Sequence, residues 1–523
     1  MKKIFTTLFA GLMISAQVMA VSVKDVCGQF NGDLNIGGDA YPSRSIYLLP
    51  GVVDSTVTFV LPDFTFGKGK LGNIVLPNIP MDANGMLHLE NATLYLDSIH
   101  ERASITVING LQDEGVTYNS VISANDAMVL LSIEAPASLP EPIFVLFMGE
   151  AVRANNYVLN NGGFEGGWVN NEPTGWHSFG TATGDFQDFV VGNTDQFIQS
   201  TDVRPGSKGA NSAMLSSKIV AGAKANGNCT NGRINAGSMT ADNAALNFNF
   251  SDPANEGFNT PFQGHPDSLV FWAKYLPADR DVANEVNKAR ASVIITTNDR
   301  YQDPEGDKDY SSVVLAKAVV NYAATSDMGW QRISVPFEYT AAALEKTPAY
   351  ILSTFTTNMT PGGGTSYNSG SSLSPKWVLD SLYLDDVEMV YNRELASFSR
   401  DNAELSFDKN IASVDANYCD SCAKYATEDN GISAQTFIAM DAAHKCIFVY
   451  VIADDYAQSG KYNLYRVDFT DSETEGLGPK EDETEGFESI LSGEKRFKKV
   501  LFNGQFLIIS NDAWYNAAGV RVR

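Results

Sequence analysis

Apolar and polar residues alternate in short runs along most of this chain, and few segments carry the three-to-four-residue spacing of a helix. Within residues 21–153, "TVTFVLPDF" and "MLHLENATLYL" alternate, while "PEPIFVLFMGEAV" is a continuous run of β-forming residues. Neighbouring side chains of a strand point to opposite faces, so alternation marks one face in a core and one in water. Pro, Gly, Asn and Asp punctuate these runs at short intervals, the pattern of an antiparallel barrel or sandwich. Residues 154–392 form a second unit with strands at "DSLVFWAKYLP", "ARASVIITTND", "WQRISVPFEYT", "AYILSTFTTN" and "DSLYLDDVEMVY". Its loops include an acidic one, "NDRYQDPEGDKDYSS", and a Gly/Ser-rich one, "MTPGGGTSYNSGSSLSP". "ADRDVANEVNKA" has room for a helical turn or two, but it lies between strand runs and reads as a long loop. Residues 393–470 read as a small sandwich through "ELASFSRDNAELSFD", "KCIFVYVIADDY" and "KYNLYRVDF". The expected fold class is all-β: an N-terminal antiparallel barrel, a central β-sandwich and a small C-terminal β-sandwich.

The pattern breaks at both ends. Residues 471–494 hold nine acidic residues and one lysine, which predicts a disordered acidic linker. Residues 495–523 open with Lys495, Arg496, Lys498 and Lys499, and continue as two apolar strands about an Asn-Asp turn. They predict a terminal hairpin, either docked on the preceding sandwich or recognised separately. At the N-terminus, Lys2 and Lys3 precede the apolar run Ile4 to Val18 and the small-residue site Val18-Met19-Ala20. Residues 1–20 therefore read as a signal peptide, and Val rather than Cys at position 21 does not support a lipid anchor. No later run approaches the ~20 apolar residues of a membrane helix. The expectation is an exported protein of the periplasm, cell surface or medium, with no transmembrane segment.

A formal charge of -25 excludes the basic footprint that a nucleic acid requires, and it opposes an anionic membrane surface. It suits neutral partners, cations or plain solubility. Common catalytic signatures are missing as well. The five histidines form no His-Glu-x-x-His, and neither a Gly-x-Ser-x-Gly elbow nor a P-loop occurs. A carboxylate pair for glycoside cleavage has no sequence spacing to recognise, and the chain has 62 acids from which to draw one.

Five cysteines are too few for a disulfide scaffold. Cys419-Asp-Ser-Cys422, with His444 and Cys446 nearby in sequence, admits three readings: a zinc site, a redox pair, or one disulfide. The spacing matches no common zinc finger and no βαβ pattern surrounds the pair, so the expected bond ties the 419–422 loop to the following strand, Cys422 to Cys446.

Two resemblances extend this reading. "GQFNGDLNI" at 28–36, "LPDFTFGKGKLGNIVLPNIPM" at 61–81 and "FVLFMGEA" at 144–151 resemble the calycin-like barrel domain of Bacteroidetes exported proteins. That likeness implies an eight-stranded up-and-down barrel, filled by side chains or holding one small apolar ligand. In residues 154–392, "GFEGGW", "PTGW", "GNCTNGRINAG", "HPDSLVFWAKYLP", "GWQRISVPFEY" and "LDSLYLDDVEMVY" follow in the order of the carbohydrate-metabolism (PCMD) domain of such proteins. The set is also similar to the galactose-binding-type jelly rolls used as carbohydrate-binding modules. The last segment resembles the tails that type IX secretion sorts.

The jelly-roll likeness implies a structural Ca²⁺ held by Glu165 and Asp386, with Asp385 beside them. Adjacent residues of a strand face opposite ways, so only one of the two aspartates can face such an ion. It also implies a non-catalytic, exported carbohydrate-recognition protein with a glycan as partner. A glycan-active enzyme and an adhesin-like interaction protein are the rivals. A sugar site wants rings for C–H faces and polar groups for hydroxyls. The candidates are Trp168, Tyr301, Tyr310 and Tyr367 for rings, and Asn231 and Arg233 for polar contacts. Trp176 is expected in the core, as part of the first corner of the jelly roll.

Overall fold

A computed structural model describes residues 21–477, apart from 67–68, 97–100, 114, 136–140, 154–155, 193, 221, 345 and 373, together with the strand segments 497–502, 505–510 and 513–516. The expected signal peptide and most of the acidic linker lie outside these residues. The fold is all-β, and the chain divides into two compact units, Met1–Ala154 with Arg393–Arg523, and Asn155–Asn392. No helix among the described residues is long and apolar enough to cross a membrane.

In the first unit, eight antiparallel strands follow one another around a nearly closed barrel. The order is Gly69–Pro80, Thr56–Phe66, Asp39–Pro50, Gly28–Ile36, Ile143–Ala151, Asp126–Glu134, Glu101–Val107 and Ala92–Leu96. Every second side chain points inward. Phe30, Leu34, Ile46, Leu48, Phe59 and Phe147 belong to one continuous interior core, so side chains fill the barrel.

The wall formed by the strands at 39–50, 56–66 and 69–80 is buried on its outer face too. There Tyr47, Leu49, Val60 and Val75 meet Phe437, Cys446, Phe448, Tyr450 and Tyr456 of the C-terminal sandwich. Tyr456 donates its hydroxyl to the Leu48 carbonyl at 2.8 Å, and Tyr450 donates to that of Pro50 at 3.1 Å. This explains why "IYLL" at 46–49 is apolar at every position: its two faces line two cores. The sandwich pairs a three-stranded sheet (Glu394–Arg400, Ala403–Glu404, Tyr425–Asn430) with a four-stranded one (Ile411–Val414, Gln435–Asp441, Cys446–Ile452, Asn463–Phe469). The segments at 497–502, 505–510 and 513–516 form a three-stranded antiparallel sheet rather than a two-stranded hairpin.

The cysteine expectation is corrected here. Cys419 bonds to Cys422, with Cα atoms 5.4 Å apart, while Cys446 is a free, buried thiol. The cause is strand alternation. Cys446, Phe448, Tyr450 and Ile452 face the barrel, whereas Ile447, Val449 and Val451 face the other way, into the core on which Tyr418 packs. The 419–422 loop follows Tyr418 on that second face, so the sheet separates it from the Cys446 side chain.

The second unit is a sandwich of two five-stranded antiparallel sheets. One runs Phe197–Ser200, Ser212–Ser216, Ser381–Val390, Ser268–Leu276, Gln331–Pro336. The other runs Asn228–Thr230, Tyr350–Thr356, Ala289–Thr296, Val314–Tyr322, Glu338–Tyr339. Trp176 is buried as expected, with its ring centroid 5.2 Å from that of Phe164 and 6.0 Å from that of Phe355. A small third sheet, Arg233–Ala236, Asn247–Phe250 and Gln302–Asp303, forms separately and contributes to the site described next.

Candidate functional site

A cleft of about 220 Å³ opens in the second unit, lined by residues of the second five-stranded sheet and of the small third sheet. Strand alternation builds its floor. On Asn228–Thr230 and Tyr350–Thr356, Cys229 and Phe355 are fully buried, while Asn228, Thr354 and Thr356 on either side of them line the cleft. The register aligns Asn228 with Thr356 and Thr356 with Arg290, so an amide, a hydroxyl and a guanidinium lie in one row across three strands. Asn247 and Asn249, two apart on the third sheet, line it as well, and Asp303 comes from the short strand beside them.

The walls are apolar. Phe179, Phe186, Phe189, Val220, Met239 and Phe248 surround the polar floor. Phe189 is 53% exposed and Met239 37%. The corner that carries Phe179 is held by Glu172. This half-buried carboxylate accepts hydrogen bonds from the Ser178 backbone and hydroxyl, both at 2.7 Å, and from the Thr181 hydroxyl at 3.1 Å. On the opposite side, Lys224 bonds Asp380 at 2.5 Å and the carbonyls of Gly363 and Thr365 at 2.7 and 2.9 Å, which ties down the loop beside the cleft.

The floor's electrostatics are balanced. Arg290 donates to both oxygens of Asp303, at 2.7 and 2.9 Å. Burial works against the Arg290 charge, but the hydrogen-bonded Asp303 carboxylate more than offsets this and holds the guanidinium above its ordinary range. Asn228 donates through Nδ2 to Asn249 Oδ1 at 3.0 Å. Its own Oδ1, and the Thr354 hydroxyl, are buried with no hydrogen-bond partner among the described residues. An unpaired buried polar group costs about 1–3 kcal/mol.

Most of the residues singled out from sequence lie elsewhere. Tyr301 is not a surface ring. It is 1% exposed, packs with Ile294 and Leu352, and donates its hydroxyl to Glu305. The reason is that its segment is no free loop: Gln302 and Asp303 pair with Phe250 and Asn249. Tyr310 packs edge-on against Tyr301, with ring centroids 4.9 Å apart. Asn231 is buried, and its amide bonds the Ile351 carbonyl and the Ser353 N–H, which makes it a brace. Arg233 lies over the Phe258 ring at 4.5 Å and donates to the Thr181 carbonyl. Tyr367 is half-exposed on a short strand opposite Val378, and the similarly exposed Trp377 pairs with the next residue, Asn368. Trp168 lines a separate depression with Asn170, Asn171 and Gln199, and its Nε1 donates to the Phe164 carbonyl. The motif "GNCTNGRINAG" does reach the cleft, but through Asn228, Ile234, Asn235 and Ala236 rather than Asn231 and Arg233.

The expected calcium corner is present as a place. Glu165 and Asp386 flank Gly163, where an added Cβ would stand 3.9 Å from Glu165 Cγ and 3.3 Å from Asp386 Oδ1. Their oxygens are engaged, however. Asn211 donates its backbone and side-chain N–H to the two Glu165 oxygens, each at 2.8 Å, and Arg204 Nε pairs with Asp386. Asp385 is buried and accepts the backbone N–H of Arg204 and of Asp386.

No family model matches the chain, and no curated protein matches it. Among solved structures, a "putative glycoside hydrolase" from Bacteroides thetaiotaomicron aligns over 68% of this chain and 99% of its own, at 14% identity and a TM-score of 0.31.

Proposed function

We propose that the second unit recognises carbohydrate without cleaving it, within an exported protein of the cell envelope. The observation that supports this most is the cleft itself: a floor of amides and hydroxyls under phenylalanine walls. Sugars present C–H faces to rings and hydroxyls to amides, and pockets that bind them combine the two kinds of surface. Asp303 is the one carboxylate among the lining residues, and both of its oxygens are engaged by Arg290. Hydrolysis of a glycoside uses two carboxyl groups about 5–10 Å apart, one of them free to hold a proton. The cleft offers a neutral contact surface instead.

The test is a glycan panel with the full chain, followed by calorimetry on any ligand found. Binding that is lost in Phe248→Ala, with the fold intact by circular dichroism, supports this assignment. Failure to bind across a broad panel of neutral and acidic glycans overturns it.

A further inference from the structure

We infer that the cleft and the depression at Trp168 are two subsites of one binding surface, so that the ligand is a neutral oligosaccharide long enough to reach both. This rests on the carbohydrate reading above and adds a length and a charge class to it. The argument starts from the wall between the two places. Phe179 and Val190 line the cleft, and the residues that follow them, Gly180 and Val191, line the depression. Consecutive Cα atoms are about 3.8 Å apart, so at both points the wall is one residue thick. Apolar surface stands open beside the crossing, with Phe189 53% exposed on the cleft side and Val191 37% exposed on the other.

The depression is held in shape by its own contacts. Trp168 turns its Nε1 inward to the Phe164 carbonyl at 2.8 Å, and its ring lies 5.5 Å from that of Phe197, which fixes the indole. Just beyond it, Val169 and Glu172 exchange backbone hydrogen bonds of 2.8 and 3.0 Å around Asn170 and Asn171, whose φ angles are 51° and 64°. This is the two-residue turn with both central residues left-handed, and it holds two exposed asparagines at the depression. Glu172, which closes the turn, also accepts from Ser178 and Thr181. One carboxylate thus braces the turn against the corner that carries Phe179 and Gly180. With Gln199 beside them, the indole and the amides repeat the chemistry of the cleft, a ring for C–H faces and amides for hydroxyls. None of the described residues that line the depression is charged. In the cleft, Arg290 and Asp303 are spent on each other, and Lys224 on Asp380 and two carbonyls. Neither place offers a counter-charge to an acidic or amino sugar. The cleft's volume, about 220 Å³, is below the ~300–1,000 Å³ of pockets for drug-sized ligands. It takes one end of an oligosaccharide, and the depression across the wall receives the rest.

The experiment is calorimetry of the full chain with dimers and hexamers of three neutral glycans: cellobiose and cellohexaose, mannobiose and mannohexaose, maltose and maltohexaose. The expected result, in at least one series, is a hexamer bound about tenfold more tightly than its dimer, the gain of a further aromatic contact. Trp168→Ala should bring that ratio to about one. Asn170→Gly combined with Asn171→Gly should lower it too, because glycine takes the left-handed turn without strain and removes only the amides. Equal affinity for dimer and hexamer on the unaltered chain overturns the inference and leaves the carbohydrate assignment standing. A hexamer preference that survives both variants does the same. Binding of none of these sugars, with another glycan captured from the panel, also overturns it. A silent panel removes both readings. The length comparison is made on the unaltered chain, so a poorly folding Trp168→Ala does not remove the test.

Discussion

Arg290 grips Asp303 through two hydrogen bonds, 2.7 and 2.9 Å long, at the floor of the cleft. Their side chains are 21% and 6% exposed, so neither charge is well solvated once the other is removed. Asp303→Asn should therefore destabilise the second unit by about 3 kcal/mol, the lower end for a broken buried pair because Arg290 keeps some contact with water. Replacing both residues with apolar side chains of similar size should recover most of that loss. Urea unfolding followed by tryptophan fluorescence reports on this unit, which holds five of the six tryptophans. An unchanged midpoint for Asp303→Asn would show that the pair contributes nothing.

The Glu172 corner predicts a pH dependence. Burial pushes the Glu172 pKa up, but hydrogen bonds from His177 and Ser178 more than offset it, and the net displacement is downward. A carboxyl whose folded pKa is depressed contributes stability above its unfolded value, near ~4.3, and loses it as pH falls through the lower folded value. Glu172→Gln should be less stable than the parent at pH 6, with the gap closing below about pH 4. Melting temperatures from pH 3 to pH 7 measure this. A gap of constant size across that range would mean that the charge of Glu172 does no work.

Legibility in the sequence tracked the period of the pattern. Alternation exposed the all-β class and the barrel, whose inward set Phe30, Leu34, Ile46 and Leu48 recurs with the phase of a strand. It also placed Trp176 in the core. The site was harder to read because its residues look weak one at a time. Asn228, Asn249 and Thr354 are far apart in sequence and meet only through strand pairing. A signal was nevertheless available: "NFNF" at 247–250 alternates asparagine with phenylalanine, and asparagine is a poor strand former unless something uses its amide. Tyr301 misled because the segment around it sounds like a loop, whereas pairing with Phe250 draws it inward. Cys446 misled because proximity in sequence says nothing about which face of a sheet a side chain occupies.

The cysteine arrangement predicts a specific labelling pattern. Cys27, Cys229 and Cys446 are free thiols, and Cys229 and Cys446 are buried. Burial also pushes both of these thiols well above the ordinary cysteine range, which leaves them protonated and slow to react. Iodoacetamide without reductant should leave Cys229 and Cys446 unmodified in the native protein and alkylate both after denaturation. Cys419 and Cys422 should resist alkylation until reduced, and their bond should lie within one tryptic peptide. Recovery of a Cys422–Cys446 crosslink would overturn this pairing and restore the one read from sequence.

The corner at Glu165 and Asp386 separates an arginine-closed module from a calcium-closed one. Arg204 reaches Asp386 with its Nε, lies over the Trp272 ring at 5.3 Å, and presents its backbone N–H to Asp385 at 3.1 Å. Burial pushes the Asp385 pKa up to about 6 despite that N–H, with the neighbouring Asp386 carboxylate adding to the rise. The Arg204 guanidinium brings a positive charge to this corner from within the chain. A chelator should then leave the melting temperature unchanged to within about a degree, since no bound ion would be lost. Arg204→Gln should cost about 1 kcal/mol, because both partners of the ion pair are part-exposed and only part of the attraction survives solvent screening. The decisive measurement is a thermal melt of the parent protein with EDTA and again with excess calcium. A fall of several degrees in EDTA that calcium reverses would show that the ion displaces Arg204 from Asp386, as the jelly-roll resemblance implies. Identical melts, together with a lower one for Arg204→Gln, would establish that this chain closes its first corner onto its last strand with an arginine.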